Sequence, residues 1–147
     1  MDDALARAES LCADAKARLT PLRRRVLELV WSSHEPVGAY EILSRLSEEQ
    51  GRTAPPTVYR ALDFLLELGL VHRIESLNAF VGCPDPTRVH NSQFLICEGC
   101  RTAVELESGA LDRAITGSAA DLGFAVSGRV VEVRGLCRTC QDAARDA

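Results

Sequence analysis

Apolar residues recur at helical spacing through most of the first half of the chain, and this pattern predicts four helices. Thr20 and Pro21 suit the start of the second helix. Pro55 and Pro56 suit the start of the fourth, which Gly69 can end in the left-handed conformation. The buried stripe of the fourth helix is predicted to be Val58, Leu62, Leu65 and Leu66. The four predicted helices are residues 3–18, 19–33, 39–50 and 55–69.

After the fourth helix the hydrophobic period changes to that of strands. The segments LVHRIE and NAFVGC predict a β-hairpin around a turn at residues 76–78. Three helices followed by a hairpin indicate a winged helix-turn-helix, here preceded by one extra helix. This architecture puts its last helix in the major groove of DNA. Helical bundles with hairpins are common, however, and in such a fold Tyr59 and Arg60 would only face water.

The second half of the chain predicts a different unit. The segment CPDPTR has two prolines and indicates a linker. Beyond it we expect the strands QFLIC, TAVELE and VVEVRG, a helix GALDRAITGSAADLG, and turns at residues 97–100 and 137–140. So small a unit needs a staple or a partner to be stable. The expected fold is therefore α+β, with a winged-helix domain at 1–82, a hinge at 83–91 and a dimerisation domain at 92–147.

Charge and composition limit the functions that the chain can have. The net charge is −4 and both halves are mildly acidic, so no bulk positive field attracts nucleic acid. DNA binding would need local clusters such as Arg23, Arg24 and Arg25, which could equally form a solvated face. The first residues lack a signal-peptide pattern, and no apolar run is long enough to cross a bilayer. We therefore expect a cytoplasmic protein with reduced thiols and no membrane partner.

Two Cys-x-x-Cys motifs are the strongest local signal in the chain. They comprise Cys97 with Cys100 and Cys137 with Cys140, and each follows a predicted strand. Two such pairs supply the tetrahedral thiolate set of a structural zinc ion. The alternative is one or two redox pairs, although neither motif has the strand-then-helix setting of a thioredoxin-type site.

The remaining candidate ligands are weaker when they are considered singly. Cys83 ends a strand and Cys12 lies among small helix residues, and a buried cysteine is usually inert. His72, His90 and Glu105 could each be structural or simply exposed. Together, one cysteine, two histidines and one glutamate would make a tetrahedral site with sulfur, nitrogen and oxygen ligands.

Three segments carry a resemblance to a known family. The run PPTVYRALDFLLELGLVHRIES, the pairs CEGC and CRTC, and the helix LTPLRRRVL together resemble the ferric uptake regulator family of metal-dependent repressors. Within that family the chain is most similar to the zinc uptake regulator branch. The resemblance extends over residues 5–142 and implies a homodimeric repressor that binds a palindromic double-stranded DNA operator.

The resemblance also implies roles for individual residues. It makes Cys97, Cys100, Cys137 and Cys140 the structural zinc ligands, and His72, Cys83, His90 and Glu105 the regulatory zinc ligands at the hinge. That is two zinc ions per chain. Arg60 matches the base-contacting arginine, and Tyr40 matches a tyrosine near the DNA. We also expect Thr57 and Tyr59, which lie off the buried stripe, and Arg23 and Arg24 at the DNA surface.

Other functions remain as alternatives. A family member could respond to iron, manganese or peroxide, but only three histidines are present, and a nitrogen- and oxygen-rich iron or manganese site is hard to assemble from them. An enzyme is not expected, because the chain lacks His-Glu-x-x-His and the zinc-deaminase signature, and no small-molecule substrate is expected either. A thiol-based redox sensor would need cysteines that mild oxidants can reach.

Overall fold

The computed structural model describes residues 2–33, 35–86 and 92–145, and of residues 2, 3 and 50 only the backbone. The chain divides into two compact units, the first ending at residue 89 and the second beginning at residue 90. The predicted hinge falls partly on residues outside the described ranges, so the hinge and the domain boundaries stay predictions. Among the described helices, none combines the length and the apolar character that crossing a membrane requires.

The first unit contains the four predicted helices. Thr20 caps α2, since its side chain accepts a hydrogen bond from the backbone N–H of Arg23 at 3.3 Å. At the end of α4, Gly69 has φ +68°, and the N–H of Leu70 donates to the carbonyl of Leu65 at 2.9 Å, which is the Schellman arrangement. The helices are α1 Asp2–Asp14, α2 Pro21–Ser32, α3 Ala39–Gln50 and α4 Pro55–Glu67.

Helix α1 ends four residues earlier than its hydrophobic pattern predicts. Lys16 takes the left-handed conformation with φ +52°, and the N–H of Ala17 donates to the carbonyl of Cys12 at 2.8 Å. This arrangement satisfies the last carbonyls of the helix and turns the chain away from its axis. The predicted helical residues 15–18 therefore lie outside α1.

A three-stranded antiparallel sheet completes the first unit. The hairpin strands β2 Val71–Ile74 and β3 Ala79–Gly82 are joined by a 3₁₀ turn, Glu75–Leu77, and by Asn78 at φ +46°. The sequence pattern missed β1 Val37–Gly38, which pairs with β3 to give the order β1-β3-β2. A strand of two residues is too short to produce an alternation of apolar and polar positions.

The hydrophobic core of the first unit lies where the helices and this sheet meet. Val58, Leu62 and Leu65 of α4 are at most 1% exposed, as the stripe predicts. Leu66 was expected on the same stripe but is only partly buried, and Ala61 is buried in addition. Other core residues come from α2, α3 and β2, among them Leu27, Ile42, Leu46 and Val71.

The second unit is a three-stranded sheet with two helices. Strand β4 pairs antiparallel with β5 and parallel with β6, in the order β5-β4-β6. Helix α5 supplies the crossover that a parallel pair requires. A turn was predicted at residues 137–140, but helix α6 begins at Arg138, directly after Cys137. The elements are β4 Gln93–Cys97, β5 Ala103–Glu105, α5 Gly109–Asp121, β6 Val131–Gly135 and α6 Arg138–Arg145.

Helix α5 is held to the sheet by a polar clamp. Asp112 accepts a hydrogen bond from Nε2 of Gln93 at 2.5 Å and another from the guanidinium of Arg129. The side chain of Gln93 is buried and that of Arg129 is only 9% exposed. One carboxylate therefore accepts hydrogen bonds from Gln93 of β4 and from Arg129, which lies two residues before β6.

One row of apolar side chains in this unit lies on the surface. Leu95, Val104 and Val133 are register partners across the three strands. Their exposed fractions are 42%, 55% and 50%, which is high for aliphatic residues at the middle of a sheet. The second unit thus leaves apolar sheet surface uncovered within the single chain.

Candidate metal sites and DNA-binding surface

Four cysteine thiols meet at the edge of the second unit where β4 and β6 end. The Sγ atoms of Cys97, Cys100, Cys137 and Cys140 all lie within 4.8 Å of one another, and those of Cys100 and Cys137 are 3.8 Å apart. Because β4 and β6 are parallel, with Cys97 beside Gly135, both Cys-x-x-Cys segments leave the sheet at the same edge. None of the six cysteines, all within the described residues, forms a disulfide.

The turn after β4 lets the two pairs approach each other closely. Arg101 has φ +62°, and its N–H donates to the carbonyl of Cys97 at 2.9 Å. A Cβ added to Gly99 would lie 2.8 Å from the Sγ of Cys140 and 3.1 Å from its Cβ. Glycine at position 99 is therefore required by the close approach of Cys140. Gly99 was not among the predicted site residues, although it lies inside the first motif.

The protein environment favours thiolates on the first pair. Backbone N–H groups of Cys100 and Cys137 donate to the Sγ of Cys97 at 3.5 and 3.2 Å, and they lower the pKa of Cys97 to about 6. The hydroxyl of Thr102, 3.2 Å from the Sγ of Cys100, lowers the pKa of that thiol. The neighbouring side chains of Cys137 and Cys97 raise the pKa of Cys140 to about 12.

These pKa directions fit a cation site. Four thiolates within 4.8 Å of one another repel, so the last of them ionises at neutral pH only when a cation offsets the charge. Soft thiolate donors in a set of four are what tetrahedral zinc prefers. The donor set and its hydrogen bonds therefore fit a structural zinc ion.

A second pair of candidate ligands lies on the hairpin of the first unit. Val71 pairs with Gly82, and the N–H of Cys83 donates to the carbonyl of Leu70 at 3.0 Å. This register puts His72 and Cys83 diagonally on one face of the hairpin. A ring nitrogen of His72 and the Sγ of Cys83 lie within 4.8 Å of each other, with the cysteine 1% exposed and the histidine partly buried.

The other two expected regulatory ligands belong to the second unit. Glu105 is the last residue of β5, is partly buried, and is the register partner of Phe94 on β4. Its partial burial differs from the exposed glutamate that sequence alone would suggest. His90 lies outside the described residues.

The expected DNA-contacting residues of α4 lie in its first two turns. Tyr59 and Arg60 are exposed, Thr57 is partly buried, and Tyr40 on α3 is 75% exposed. An open cleft of 230 Å³ runs between the N-terminal ends of α2 and α4. It is lined by Thr20, Leu22, Arg23, Thr57, Arg60 and Ala61.

The arginines of α2 have partners within the first unit. The guanidinium of Arg23 lies 3.6 Å from the centre of the Phe64 ring, and its NH1 donates to the carbonyl of Arg18 at 2.7 Å. Arg24 pairs with Glu9 at 2.6 Å and with Glu28 at 3.3 Å. Glu28 lies four residues after Arg24, a spacing that pairs charges on a helix, whereas Glu9 and Phe64 belong to other helices and no local pattern links them to Arg24 and Arg23.

Arg25 is paired in the same way. It contacts Glu28 at 3.0 Å and Glu49 at 2.5 Å. These hydrogen bonds, with Glu49 the larger cause, raise the pKa of Arg25 above its ordinary value. Arg24 and Arg25 thus form ion pairs with carboxylates, whereas Arg23 stacks on an aromatic ring.

Known proteins resemble this chain over nearly its whole length. The ferric uptake regulator family model matches residues 14–134. The zinc uptake regulation protein of Escherichia coli K12 is 42% identical over 139 residues, which is 92% of this chain and 80% of that protein. A solved structure of a zinc uptake regulator complexed with zinc and DNA has a TM-score of 0.93 at 39% identity, covering 98% of this chain and 97% of that chain. The crystal structure of holo XcZur has a TM-score of 0.87 at 43% identity, covering 97% and 99%.

Proposed function

Because the chain belongs to the ferric uptake regulator family, we propose that it is a zinc-responsive, DNA-binding repressor of zinc uptake genes that acts in the cytoplasm as a homodimer. The observation that carries this proposal is the likeness to a zinc uptake regulator bound to zinc and DNA, which extends over 98% of the chain. The four-cysteine cluster and the exposed first turns of α4 supply the chemistry that such a protein needs.

The proposed function includes two bound zinc ions per chain. Cys97, Cys100, Cys137 and Cys140 hold the structural ion, as supported by their mutual distances and by the hydrogen bonds to Cys97. His72, Cys83, His90 and Glu105 hold the regulatory ion. The support for this second set is the pair on the hairpin, whose imidazole and thiol already lie within 4.8 Å of each other.

The proposed dimer forms through the sheets of the second units. The row of Leu95, Val104 and Val133 offers apolar surface that a second copy can cover. Leu95→Asp should therefore yield a monomer in sedimentation, because a carboxylate there would be desolvated in the dimer. Tyr40→Ala is the matched control, since it changes an exposed side chain of the first unit. A Leu95→Asp protein that sediments as a dimer would contradict this interface.

The proposed DNA contact puts α4 in the major groove. Arg60 reads a guanine edge through two hydrogen bonds, with Thr57, Tyr59 and Tyr40 beside it. Two copies of α4 in a homodimer would then read a palindromic operator whose half-sites lie about 34–36 Å apart, one turn of the duplex.

The regulatory ligands give the proposed switch its mechanism. His72 and Cys83 belong to the unit that reads DNA, and His90 and Glu105 to the unit that dimerises. A zinc ion held by all four side chains would link the two units and so favour one arrangement of them. By linkage, operator DNA then raises zinc affinity as much as zinc raises DNA affinity.

Charge alone does not account for such a switch. The chain carries a net charge of −4 before its thiols ionise. The structural ion stays bound in both states, and filling the exchangeable site adds two positive charges while one thiol, that of Cys83, ionises. The chain therefore gains only one positive charge and stays acidic. The response to zinc must therefore arise from the arrangement of the units rather than from attraction to phosphate.

The deciding experiment measures zinc-dependent DNA binding by fluorescence anisotropy. The probe is a duplex selected from a random library by the zinc-loaded protein. Cys83→Ala should bind it no better with zinc than without, while remaining a folded dimer. Cys12→Ala is the matched control, because Cys12 is also a buried thiol of the first unit and belongs to no metal cluster among the described residues. A full zinc response in Cys83→Ala would refute the regulatory site.

Metal counting tests the same proposal independently. Titration against buffered chelators should find one zinc per chain that resists chelation and one that exchanges readily. A single tight zinc, together with a DNA-binding response to iron, manganese or peroxide, would favour the alternative regulators of the family.

A further inference from the structure

An indole ring lies directly against the backbone at the end of the hairpin. A Cβ added to Gly82 would lie 2.5 Å from Cε2, 2.7 Å from Cδ2 and 2.8 Å from Nε1 of Trp31. Carbon atoms in ordinary contact are about 3.5–4.0 Å apart, so no side chain fits at position 82 while the ring stays in place. Trp31 lies in the last turn of α2 and packs against the core of the first unit.

This contact lies on the face of the hairpin opposite to the two candidate ligands, His72 and Cys83. Successive residues of a strand point to opposite faces, so Gly82 meets Trp31 on one face and Cys83 points to the other. His72 shares that second face with Cys83, as the register between β2 and β3 requires. A shift of the backbone at Gly82 would thus move the thiol relative to the imidazole.

We propose that Trp31 and Gly82 are positioning residues for the regulatory metal site, holding Cys83 at its distance from His72. The proposal rests on the proposed function, in which these two side chains bind zinc. Metal–ligand distances in well-formed sites lie within about 0.2 Å of their ideal values, and substitution of a residue that orients a ligand typically weakens metal binding about 10- to 100-fold. The ring against Gly82 is such a support, because it fixes the residue that precedes the ligand.

The test is a set of zinc affinities measured on full-length protein with buffered chelators. Gly82→Ala should weaken the readily exchanged zinc about tenfold or more, and leave the chelation-resistant zinc in place. Gly38→Ala is the matched control: it lies in the same sheet, beside Ala79 of β3, and has open space where the methyl would go. Its zinc affinity should equal that of the unsubstituted protein.

A second substitution separates positioning from general damage. Trp31→Leu removes the ring that the new methyl would strike. Trp31→Leu alone should also weaken the exchangeable zinc, and the two losses should not add in the double variant Gly82→Ala/Trp31→Leu, because both substitutions disturb one contact. Fully additive losses would overturn the proposal, since Gly82 and Trp31 would then act on the site independently. If Gly82→Ala fails to fold, Trp31→Phe replaces it, and an exchangeable zinc of unchanged affinity in that variant would also overturn the proposal.

Fluorescence gives a readout on the unsubstituted protein. Trp31 is the one tryptophan in the sequence. Its emission should change in step with the exchangeable zinc, and this change should be lost in Cys83→Ala. Emission that stays constant while the exchangeable site fills, or that still changes with zinc in Cys83→Ala, would overturn the proposal.

The same measurements separate this inference from the function on which it rests. If Cys83→Ala keeps the exchangeable zinc, the regulatory assignment fails and the positioning role fails with it. If Cys83→Ala loses that zinc while Gly82→Ala keeps full affinity, only the positioning role fails. The Trp31–Gly82 contact would then be core packing without influence on the metal.

Discussion

Replacing Gly99 by alanine tests the four-cysteine site through its tightest contact. The added methyl would lie 2.8 Å from the Sγ of Cys140 and 3.1 Å from its Cβ. Rotating the thiol alone cannot relieve both contacts, because the Cβ belongs to the first turn of α6. The start of that helix must therefore shift.

The size of the required shift follows from these distances. Ordinary contacts between carbon atoms begin at about 3.5 Å, so the Cβ of Cys140 must retreat by roughly 0.4 Å from its 3.1 Å distance. This shift exceeds the spread of about 0.2 Å within which ligand distances of well-formed zinc sites lie. We expect Gly99→Ala to keep three thiolates in place, to displace the fourth, and to weaken the tightly held zinc about 10- to 100-fold.

Gly135→Ala is the matched control. Gly135 also lies beside the cluster, two residues before Cys137, and a Cβ there would have no neighbour within 4 Å. Both variants are compared by zinc competition with chelators of graded affinity and by thermal unfolding with and without zinc. Because zinc bound to the folded unit stabilises it by mass action, Gly99→Ala should also unfold at a lower temperature in limiting zinc.

Equal zinc affinity in Gly99→Ala and Gly135→Ala would refute this reasoning. It would mean that Cys140 can retreat from the cluster without loss of metal. A site of three cysteines, or a different metal geometry, would then have to replace the set of four.

Other substitutions test separate parts of the structure. Asp112→Ala should cost about 1–3 kcal/mol of unfolding free energy in urea titrations, since it leaves two buried donors without their acceptor; an unchanged midpoint would contradict the polar clamp. Hydrogen bonds from Arg25 lower the pKa of Glu49. A carboxyl group with a lowered pKa stabilises the fold at a pH above its pKa in the unfolded chain, and this stabilisation is lost as the pH falls through its pKa in the folded chain. Glu49→Gln should thus reduce the melting temperature at pH 7, and the difference should shrink below about pH 4. Arg60→Ala should lose about 1–3 kcal/mol of discrimination between selected and random duplex, whereas Arg23→Ala should weaken binding to both duplexes alike. Equal losses on the two duplexes for Arg60→Ala would remove it as a base reader.

Much of this architecture could be predicted from local sequence patterns. Thr20 and Gly69 mark helix ends because their effects are local: the Thr20 side chain accepts a hydrogen bond from a backbone N–H three residues on, and Gly69 takes a left-handed backbone conformation. The two Cys-x-x-Cys motifs identify the thiols that the structure brings together, because parallel strands bring their ends to one edge.

The remaining features depend on contacts between distant residues. Strand β1 is too short to show a period, and helix α6 begins inside the second Cys-x-x-Cys motif, a motif that by itself indicates a turn. The contact of Trp31 with Gly82 and the stacking of Arg23 on Phe64 join separate elements. Such pairs follow from how the elements pack, and a single sequence does not encode them as a spacing.

The carboxylate partners of Arg24 and Arg25 have a consequence for how such a protein would search a chromosome. Binding to random DNA depends almost entirely on cations that neutralise phosphates. Here two of three consecutive arginines are already matched by Glu9, Glu28 and Glu49. A repressor built in this way associates weakly with the vast excess of irrelevant sites. Few molecules are sequestered there, so a small cellular pool can keep its operators occupied.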